Sequence, residues 1–386
     1  MIQLGVSVYP EQESLEEIDS YLKLASSYGF KKVFTSMFTV EGDKTAIINY
    51  FKSFCEIAHK YNMVVSGDVN TVFLKSIGAG PDDLSIFKEI GIDVLRLDSC
   101  YFDERDVKMI NNPFGIGIEI TAAFEKAAIK ALENGADAHK FSACHNFYPQ
   151  KYTGADIETI RDVNNKFKKL GIKTIMFMSS NAKCTHGPKP VYDGLPTIED
   201  HRFMSVEAQL KHIISFHNVD EVIFGNAFAS KEEFETVAEV MKACYPSIKK
   251  LDKFGSIGNY LPHGNIERVS FKVELDENTT ELEKNILLNF DYHNAGEYIY
   301  YMIRSRWPRI FTKNLSIPLR KCSKKTFEVG DVLICNDNCS PYLGEIEICL
   351  KPMDNDGQRN YLGHVVEDEH IIFSEIKTGE AIGFKI

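Results

Sequence analysis

The chain has 386 residues, of which 44% are hydrophobic and 26% are charged, a composition typical of a globular protein with a sizeable core. The formal net charge of −11 excludes an extended basic surface for nucleic acid, and no apolar run approaches the roughly 18 residues of a membrane helix. The nine scattered cysteines and a first segment without a signal-peptide pattern predict a cytoplasmic protein with reduced thiols.

The first part of the sequence repeats one unit, a short apolar strand followed by a polar turn and an amphipathic helix. Strands are predicted at 4–9, 32–38, 63–69, 93–98, 115–121, 137–143, 173–179 and 221–226. Because strand–helix alternation implies parallel pairing, these eight units predict a closed (β/α)8 TIM barrel over residues 1–254. No glycine-rich phosphate loop follows the first strand, so we expect no dinucleotide cofactor and no Rossmann fold.

After about residue 255 the sequence changes to short alternating segments separated by turns. We predict strands at 267–275, 297–304, 331–335, 344–350, 360–366, 370–376 and 379–386. They indicate a second, mostly β domain over residues 266–386, folded as a small closed or half-closed barrel.

The candidate catalytic residues lie at the C-terminal ends of the barrel strands, where barrel enzymes carry out their chemistry. Strand alternation places Asp68, Arg96, Asp98 and Glu119 together in the interior at that end. Paired carboxylates suit acid–base catalysis, because repulsion raises one pKa while a cation lowers the other. Strands about 4.8 Å apart allow both the retaining and the inverting separation of glycosidase carboxylates. A structural ion pair is the alternative for each residue.

Polar and aromatic residues at other strand ends are candidates for binding a sugar. They are Tyr9, Asn70, His145, Asn146, Tyr148 and Asn226. A loop packed by its own aromatic rings is the alternative for those after the sixth strand. The long, proline-containing loop at 180–196 predicts a lid over the substrate.

A basic segment marks the second domain, with eight basic residues and no acidic one between residues 304 and 325. Arginine forks suit phosphate and carboxylate groups. We therefore predict that Arg304 and Arg306 bind an anionic part of the substrate and complete the active site. A solvated strand face is the alternative.

Seven segments in fixed order carry a family resemblance across essentially the whole chain. They are LGVSVYP at 4–10, GDVN at 67–70, LRLD at 95–98, HNFYP at 145–149, TG at 153–154, GLPTIEDHR at 194–202 and RS at 304–305. The sequence resembles the bacterial 6-phospho-N-acetylmuramidases, a family once labelled outer surface proteins. The resemblance implies a TIM barrel with a C-terminal cyclophilin-like β-barrel. It also implies cytoplasmic hydrolysis of a 6-phosphorylated muramyl disaccharide in cell-wall recycling.

The favoured hypothesis is a glycoside hydrolase that acts on a phosphorylated disaccharide without a cofactor or metal. Asp68 and Asp98 are its acid–base and nucleophile or base pair, in either order, and Arg96 positions Asp98 or lowers its pKa. One alternative is a metal-assisted sugar-phosphate isomerase or aldolase with Asp68, Asp98 and Glu119 as ligands. The other is a non-catalytic sugar-phosphate-binding protein. The sequence leaves open the stereochemical outcome and whether the chain forms a homo-oligomer.

Overall fold

The computed structural model describes residues 1–10, 12–38, 40, 42–188, 193–248, 262–290, 292–297 and 299–386. It divides into two compact units, residues 1–210 with 217–238, and residues 211–216 with 239–386. The predicted domain boundary between 254 and 266 falls largely in 249–261, outside the described residues. Residues 189–192 of the predicted lid also lie outside them.

Eight parallel strands form a closed barrel in which each strand pairs with the next and the eighth pairs with the first. They are β1 Gln3–Val8, β2 Lys32–Ser36, β3 Val64–Val69, β4 Val94–Leu97, β5 Gly117–Thr121, β6 Phe141–Cys144, β7 Lys173–Met178 and β8 Glu221–Ala227. This confirms the predicted (β/α)8 fold. The predicted start of β6 at 137 is wrong, because Ala138–Lys140 form a 3₁₀ helix that the Asp137 side chain caps.

Helices alternate with these strands along the chain. They are α1 Leu15–Ser27, α2 Lys44–Lys60, α3 Thr71–Ser76, α4 Ser85–Ile90, α5 Glu104–Ile110, α6 Glu125–Glu133, α7 Ile157–Lys169, α8 Val206–Ser215 and α9 Lys231–Cys244. At the start of α1, the Ser14 side chain accepts from Glu17 N while the Glu17 carboxylate accepts from Ser14 N. Such a capping box satisfies backbone donors that the first turn leaves unpaired. Gly91 ends α4 with φ of 97°, a left-handed conformation that glycine adopts without steric cost.

The interior of the barrel changes in character along its axis. Near the strand starts, the Lys32 ammonium contacts the carboxylates of Glu119 and Glu221. Buried apolar side chains follow, and they include Phe34, Cys144, Ile175, Phe177 and Ile223. Near the strand ends, Asp68 and Arg96 are buried as an ion pair. The barrel therefore holds two separate ionic clusters, one toward each end.

The second unit is mostly β, as expected for a small β domain. The strands of this part of the chain are β9 Ser247–Ile248, β10 Gly264–Asn265, β11 Val269–Leu275, β12 His293–Asn294, β13 Met302–Ser305, β14 Thr326–Phe327, β15 Asp331–Cys335, β16 Ile346–Cys349, β17 Met353–Asp354, β18 Arg359–Val365 and β19 Ala381–Lys385. Among the described residues, the α-helices α10 Glu281–Leu288 and α11 Arg309–Thr312 lie between them. The main sheet has seven mostly antiparallel strands in the order β12-β19-β11-β18-β15-β16-β13. Its core is aliphatic, with side chains such as Val332, Ile348 and Leu362 fully buried.

Two strand predictions in this unit need correction. The segment 370–376 lies mostly in a 3₁₀ helix, Glu367–Ser374. That helix buries the consecutive side chains of Ile372 and Phe373, which a strand would place on opposite faces. The strand predicted at 297–304 is the shorter β13, Met302–Ser305, and residue 298 lies outside the described residues.

Candidate active site

A cavity of about 300 Å³ opens at the C-terminal ends of the barrel strands. Its lining combines ionic and aromatic side chains from β2, β3, β4 and the loops after β6 and β7: Phe34, Ser36, Phe38, Asp68, Arg96, Asp98, Asn146, Phe147, Pro149 and Pro188. Barrel enzymes hold their substrates at this end of the strands. We therefore take this cavity as the candidate active site.

Arg96 joins two carboxylates in the cavity. Its Nη1 donates to Asp68 Oδ1 at 2.8 Å and to Asp98 Oδ1 at 3.3 Å. Its Nη2 donates to the side-chain carbonyl of Asn146. Asp68 and Arg96 meet because they are neighbours in the register of β3 and β4, and Asp98 follows two residues after Arg96 on the same face. The structure thus brings together four of the predicted site residues.

The two carboxylates occupy different environments. The side chain of Asp68 is 10% exposed, whereas that of Asp98 is 49% exposed. Burial raises the pKa of Asp68 to about 6, although the Arg96 guanidinium opposes this shift by favouring the ionised form. A carboxyl group with a raised pKa is still partly protonated near neutral pH, as a general acid requires.

The loop after β6 contributes Asn146 and Tyr148 on the same side of the barrel. Asn146 lines the cavity. Burial raises the pKa of the Tyr148 hydroxyl, and the charge of Arg96 opposes that shift. Arg202 fixes this loop by donating from Nη1 to the carbonyl of Tyr148 at 2.8 Å and to that of Asp193 at 3.0 Å. One arginine therefore ties the loop after β6 to the loop after β7.

Two predicted binding residues have their polar groups engaged by the protein itself. The Tyr9 hydroxyl donates to the carbonyl of Gly225 at 2.6 Å. The Asn70 side-chain carbonyl accepts from Phe73 N at 2.8 Å and caps α3. Neither residue lines the cavity. Tyr9 nevertheless packs edge-on against Phe147 of the cavity, with 6.4 Å between ring centroids, and the charges of Asp68 and Arg96 act on its pKa in opposite directions.

His145 and Asn226 do not line this cavity either. His145 is buried against α7, where its Nε2 is 2.7 Å from Asn164 Oδ1, and burial lowers its pKa to about 4. Asn226 accepts from Ser180 N at 2.9 Å and borders a neighbouring cavity of about 290 Å³. That second cavity is formed mainly by the loop after β7, from 180 to 187, which also carries Lys183.

The predicted position of Glu119 beside Asp68 is wrong. Its carboxylate accepts from Lys32 and, at 2.8 Å, from Ser66 Oγ. It lines a cavity bordered by the first residues of β1, β2, β3, β4, β5, β7 and β8, which is the opposite end of the barrel. The strand register places Glu119 beside Arg96, but the side chains diverge because each extends toward its own counter-ion.

Because Glu119 extends to the opposite end of the barrel, the predicted alternative, a metal site on Asp68, Asp98 and Glu119, lacks its third ligand. Within the described part of the chain, no group of three His, Cys, Asp or Glu side chains lies close enough to hold a metal ion.

The two predicted arginines of the second unit have different partners. Arg304 Nε donates to the buried carboxylate of Glu345. Arg306 has only a distant carboxylate, with its Nη1 3.8 Å from Glu297 Oε2. Arg304 therefore has its positive charge engaged within the unit, and Arg306 does not have an equally close partner among the described residues.

Sequence reasoning missed several residues of the cavity, above all Phe34, Ser36 and Phe147. Phe34 and Ser36 alternate with residues of β2 that face the helices. The same strand alternation that places Asp68 in the barrel interior therefore places these two residues there as well. Phe147 follows Asn146 in a loop, where no periodicity indicates its direction.

A closed (β/α)8 barrel with a bridged carboxylate pair at its strand ends is the architecture of a barrel glycosidase. Residues 4–239 match the family model described as "6-phospho-N-acetylmuramidase, N-terminal". Residues 269–385 match the model described as "6-phospho-N-acetylmuramidase, C-terminal". The chain therefore belongs to the 6-phospho-N-acetylmuramidase family, which is a family of glycosidases.

Solved structures support the same assignment of fold. An uncharacterized B. cereus protein is 30% identical, with a TM-score of 0.84 and coverage of 100% of both chains. A conserved protein of unknown function from Enterococcus faecalis is 22% identical, with a TM-score of 0.67 over 99% of this chain and 96% of its own, and shows the shared fold alone. Among curated proteins, none matches the chain. No helix within the described residues is long and apolar enough to cross a membrane.

Proposed function

We propose that the protein hydrolyses the glycosidic bond of a 6-phosphorylated N-acetylmuramyl disaccharide in the cytoplasm, as a step of cell-wall recycling. The observation that carries this proposal is the Arg96-bridged pair of Asp68 and Asp98 in the cavity at the strand ends. Family membership supplies the sugar and its phosphate, and the geometry supplies the acid–base chemistry.

Asp68 acts as the general acid in this proposal. Its raised pKa keeps a protonated fraction available, and Arg96 stabilises the carboxylate that remains after the proton has passed to the leaving oxygen. Asp98 acts on the other side of the bond. Its half-exposed carboxylate is accessible from the cavity and lies 3.3 Å from the Arg96 guanidinium, which holds it in position for attack or base catalysis.

We infer that the pair acts in a retaining reaction, which its two contacts with Arg96 allow. One nitrogen of Arg96 lies 2.8 Å from Asp68 Oδ1 and 3.3 Å from Asp98 Oδ1, so these two oxygens are at most about 6 Å apart. Retaining enzymes place their carboxyl groups about 5–5.5 Å apart, whereas inverting enzymes need about 6.5–9.5 Å to admit a water molecule. Asp98 is then the nucleophile, and Asp68 returns as the base that activates water in the second step.

The surroundings of the pair suit a sugar ring with a charged substituent. Phe38 and Phe147 provide apolar faces against which a pyranose can pack. The neighbouring cavity carries Lys183 on the loop after β7, and we assign the substrate phosphate to that loop. This assignment keeps the predicted lid loop in contact with substrate.

The test is an assay of the full chain with a 6-phosphorylated N-acetylmuramyl disaccharide and with its non-phosphorylated counterpart. We expect release of reducing sugar from the phosphorylated compound only, unaffected by EDTA, with NMR detecting the retained anomer first. Absence of cleavage of both compounds would refute the proposed function. Cleavage that EDTA abolishes would instead favour the metal-assisted alternative.

A further inference from the structure

A cavity of about 420 Å³ in the described part of the second unit has a lining that differs from the barrel site. It is formed by the end of β12 and the residues after it, by the start of α11 and the residues before it, and by the turn before β19, and its lining includes Gly296, Glu297, Arg306, Trp307, Arg309 and Thr378. Small-molecule sites in proteins have volumes of about 300–1,000 Å³. The cavity is therefore large enough for a monosaccharide.

Two guanidinium groups line this cavity without a hydrogen-bonded carboxylate. Arg306 Nη1 is 3.8 Å from Glu297, and Arg309 Nη1 is 3.8 Å from Glu345, distances beyond hydrogen-bond range. Within the described residues, the buried Nε of Arg306 has no hydrogen-bond partner. A buried N–H without an acceptor is unfavourable, and a bound anion removes that cost. Arg304, by contrast, already bonds Glu345.

The other groups of the cavity suit a sugar. Trp307 is partly buried against the cluster of Ile248 and Tyr292, which holds its ring in place. The Thr378 hydroxyl adds a hydrogen-bonding group. Gly296 N donates to a backbone carbonyl at 2.8 Å, and a Cβ at this position would lie 2.8 Å from the same oxygen, so the wall needs glycine here.

We propose that this cavity binds a small sugar that carries an oxyanion, either a phosphate or a carboxylate. Arg306 and Arg309 bind the oxyanion, since guanidinium groups recognise both anions through paired N–H donors. Trp307 packs against the sugar ring. The proposal concerns binding in the second unit alone, and it stands even where the barrel acts on a different bond.

Trp307 is the single tryptophan of the chain, so tryptophan-selective fluorescence reports on this cavity in the full-length protein. The probes are N-acetylglucosamine 6-phosphate, N-acetylmuramic acid and neutral N-acetylglucosamine. We expect a saturable change with at least one acidic sugar and none with the neutral one. The acidic sugar that responds identifies phosphate or carboxylate as the recognised group. Equal responses to acidic and neutral sugars would overturn the proposal.

Variants locate the binding. Arg306→Gln and Arg309→Gln should each weaken binding of the acidic sugar about 10- to 100-fold. The control is Lys313→Gln, which removes the same charge from an exposed residue of this unit and should change affinity by less than about twofold. Calorimetric titration of wild type and Arg306→Gln gives a second measurement that does not depend on tryptophan emission. If wild type and Arg306→Gln bind the acidic sugar with equal affinity in both methods, the proposal is overturned. It is also overturned if neither method detects binding, whatever the turnover assay of the barrel shows.

Discussion

The two ends of the barrel hold ionic clusters that share their chemistry and differ in access to solvent. At the strand starts, Lys32 contacts Glu119 and Glu221, whose side chains are 1% and 13% exposed. Burial lowers the pKa of Lys32, but the attraction of the two carboxylates outweighs it and raises the pKa overall. At the strand ends, Arg96 bridges a pair in which Asp98 is 49% exposed. The first cluster is satisfied internally, whereas the second retains a carboxylate that substrate can reach.

Access to solvent, and not residue type, distinguishes the cluster proposed to be catalytic from the structural one. A buried ion pair whose members saturate one another stabilises little relative to apolar packing, yet losing one member is costly. An ion pair that opens to a cavity supplies charges of fixed position to a substrate.

Replacing either member of the proposed catalytic pair, Asp68 and Asp98, should abolish turnover while preserving the fold. Asp68→Asn and Asp98→Asn each remove a group that gives or takes a proton or attacks the sugar, with an expected loss of about 10²–10⁴-fold in kcat. The measurement is kcat on the phosphorylated disaccharide, with circular dichroism as the control for folding. A folded variant that retains near wild-type turnover would remove that residue from the mechanism.

Replacing Glu119 should instead lower the stability of the fold and leave the turnover of the folded protein nearly unchanged. Glu119→Gln leaves the buried Lys32 ammonium with Glu221 as its remaining carboxylate contact. Breaking a buried pair by removing one partner typically costs about 3–5 kcal/mol, so the free energy of unfolding should fall by up to that amount. Urea denaturation measures the loss, and kcat of the folded fraction should stay within about threefold of wild type. Unchanged stability together with lost turnover would show that the strand-start cluster serves catalysis.

A smaller effect is expected at the loop after β7. Lys183→Ala removes a cation that we assign to the substrate phosphate, and an exposed charge contributes about 1 kcal/mol, or about fivefold in KM. The matched control is Lys151→Ala, an exposed lysine of the loop after β6 that does not line either cavity. Equal KM values for Lys183→Ala and wild type would place the phosphate elsewhere.

The sequence predicts the barrel well because the spacing of apolar residues and the residues that begin and end helices are local signals. Helix ends such as the capping box at Ser14 and the left-handed Gly91 are set by residues that are neighbours along the chain. Strand alternation likewise places Asp68 and Arg96 on one interior face, since a period of two residues fixes the side of the sheet.

Alternation cannot tell toward which end of the barrel a long side chain extends. Glu119 faces the interior as predicted, but its direction depends on Lys32, which lies more than 80 residues away along the chain. His145 shows the same limit, because the residue after a strand end turns outward to Asn164 on α7. Roles that depend on such distant partners need the three-dimensional structure.

We expect Asp68 to donate the proton to the leaving group, and the pH dependence of kcat/KM reports on that proton. This parameter reports the free enzyme, in which burial raises the pKa of Asp68 to about 6. Because the acid must be protonated, kcat/KM should decline above about pH 6 and approach a tenfold loss per pH unit. A profile that stays flat or rises from pH 6 to pH 8 would contradict the account.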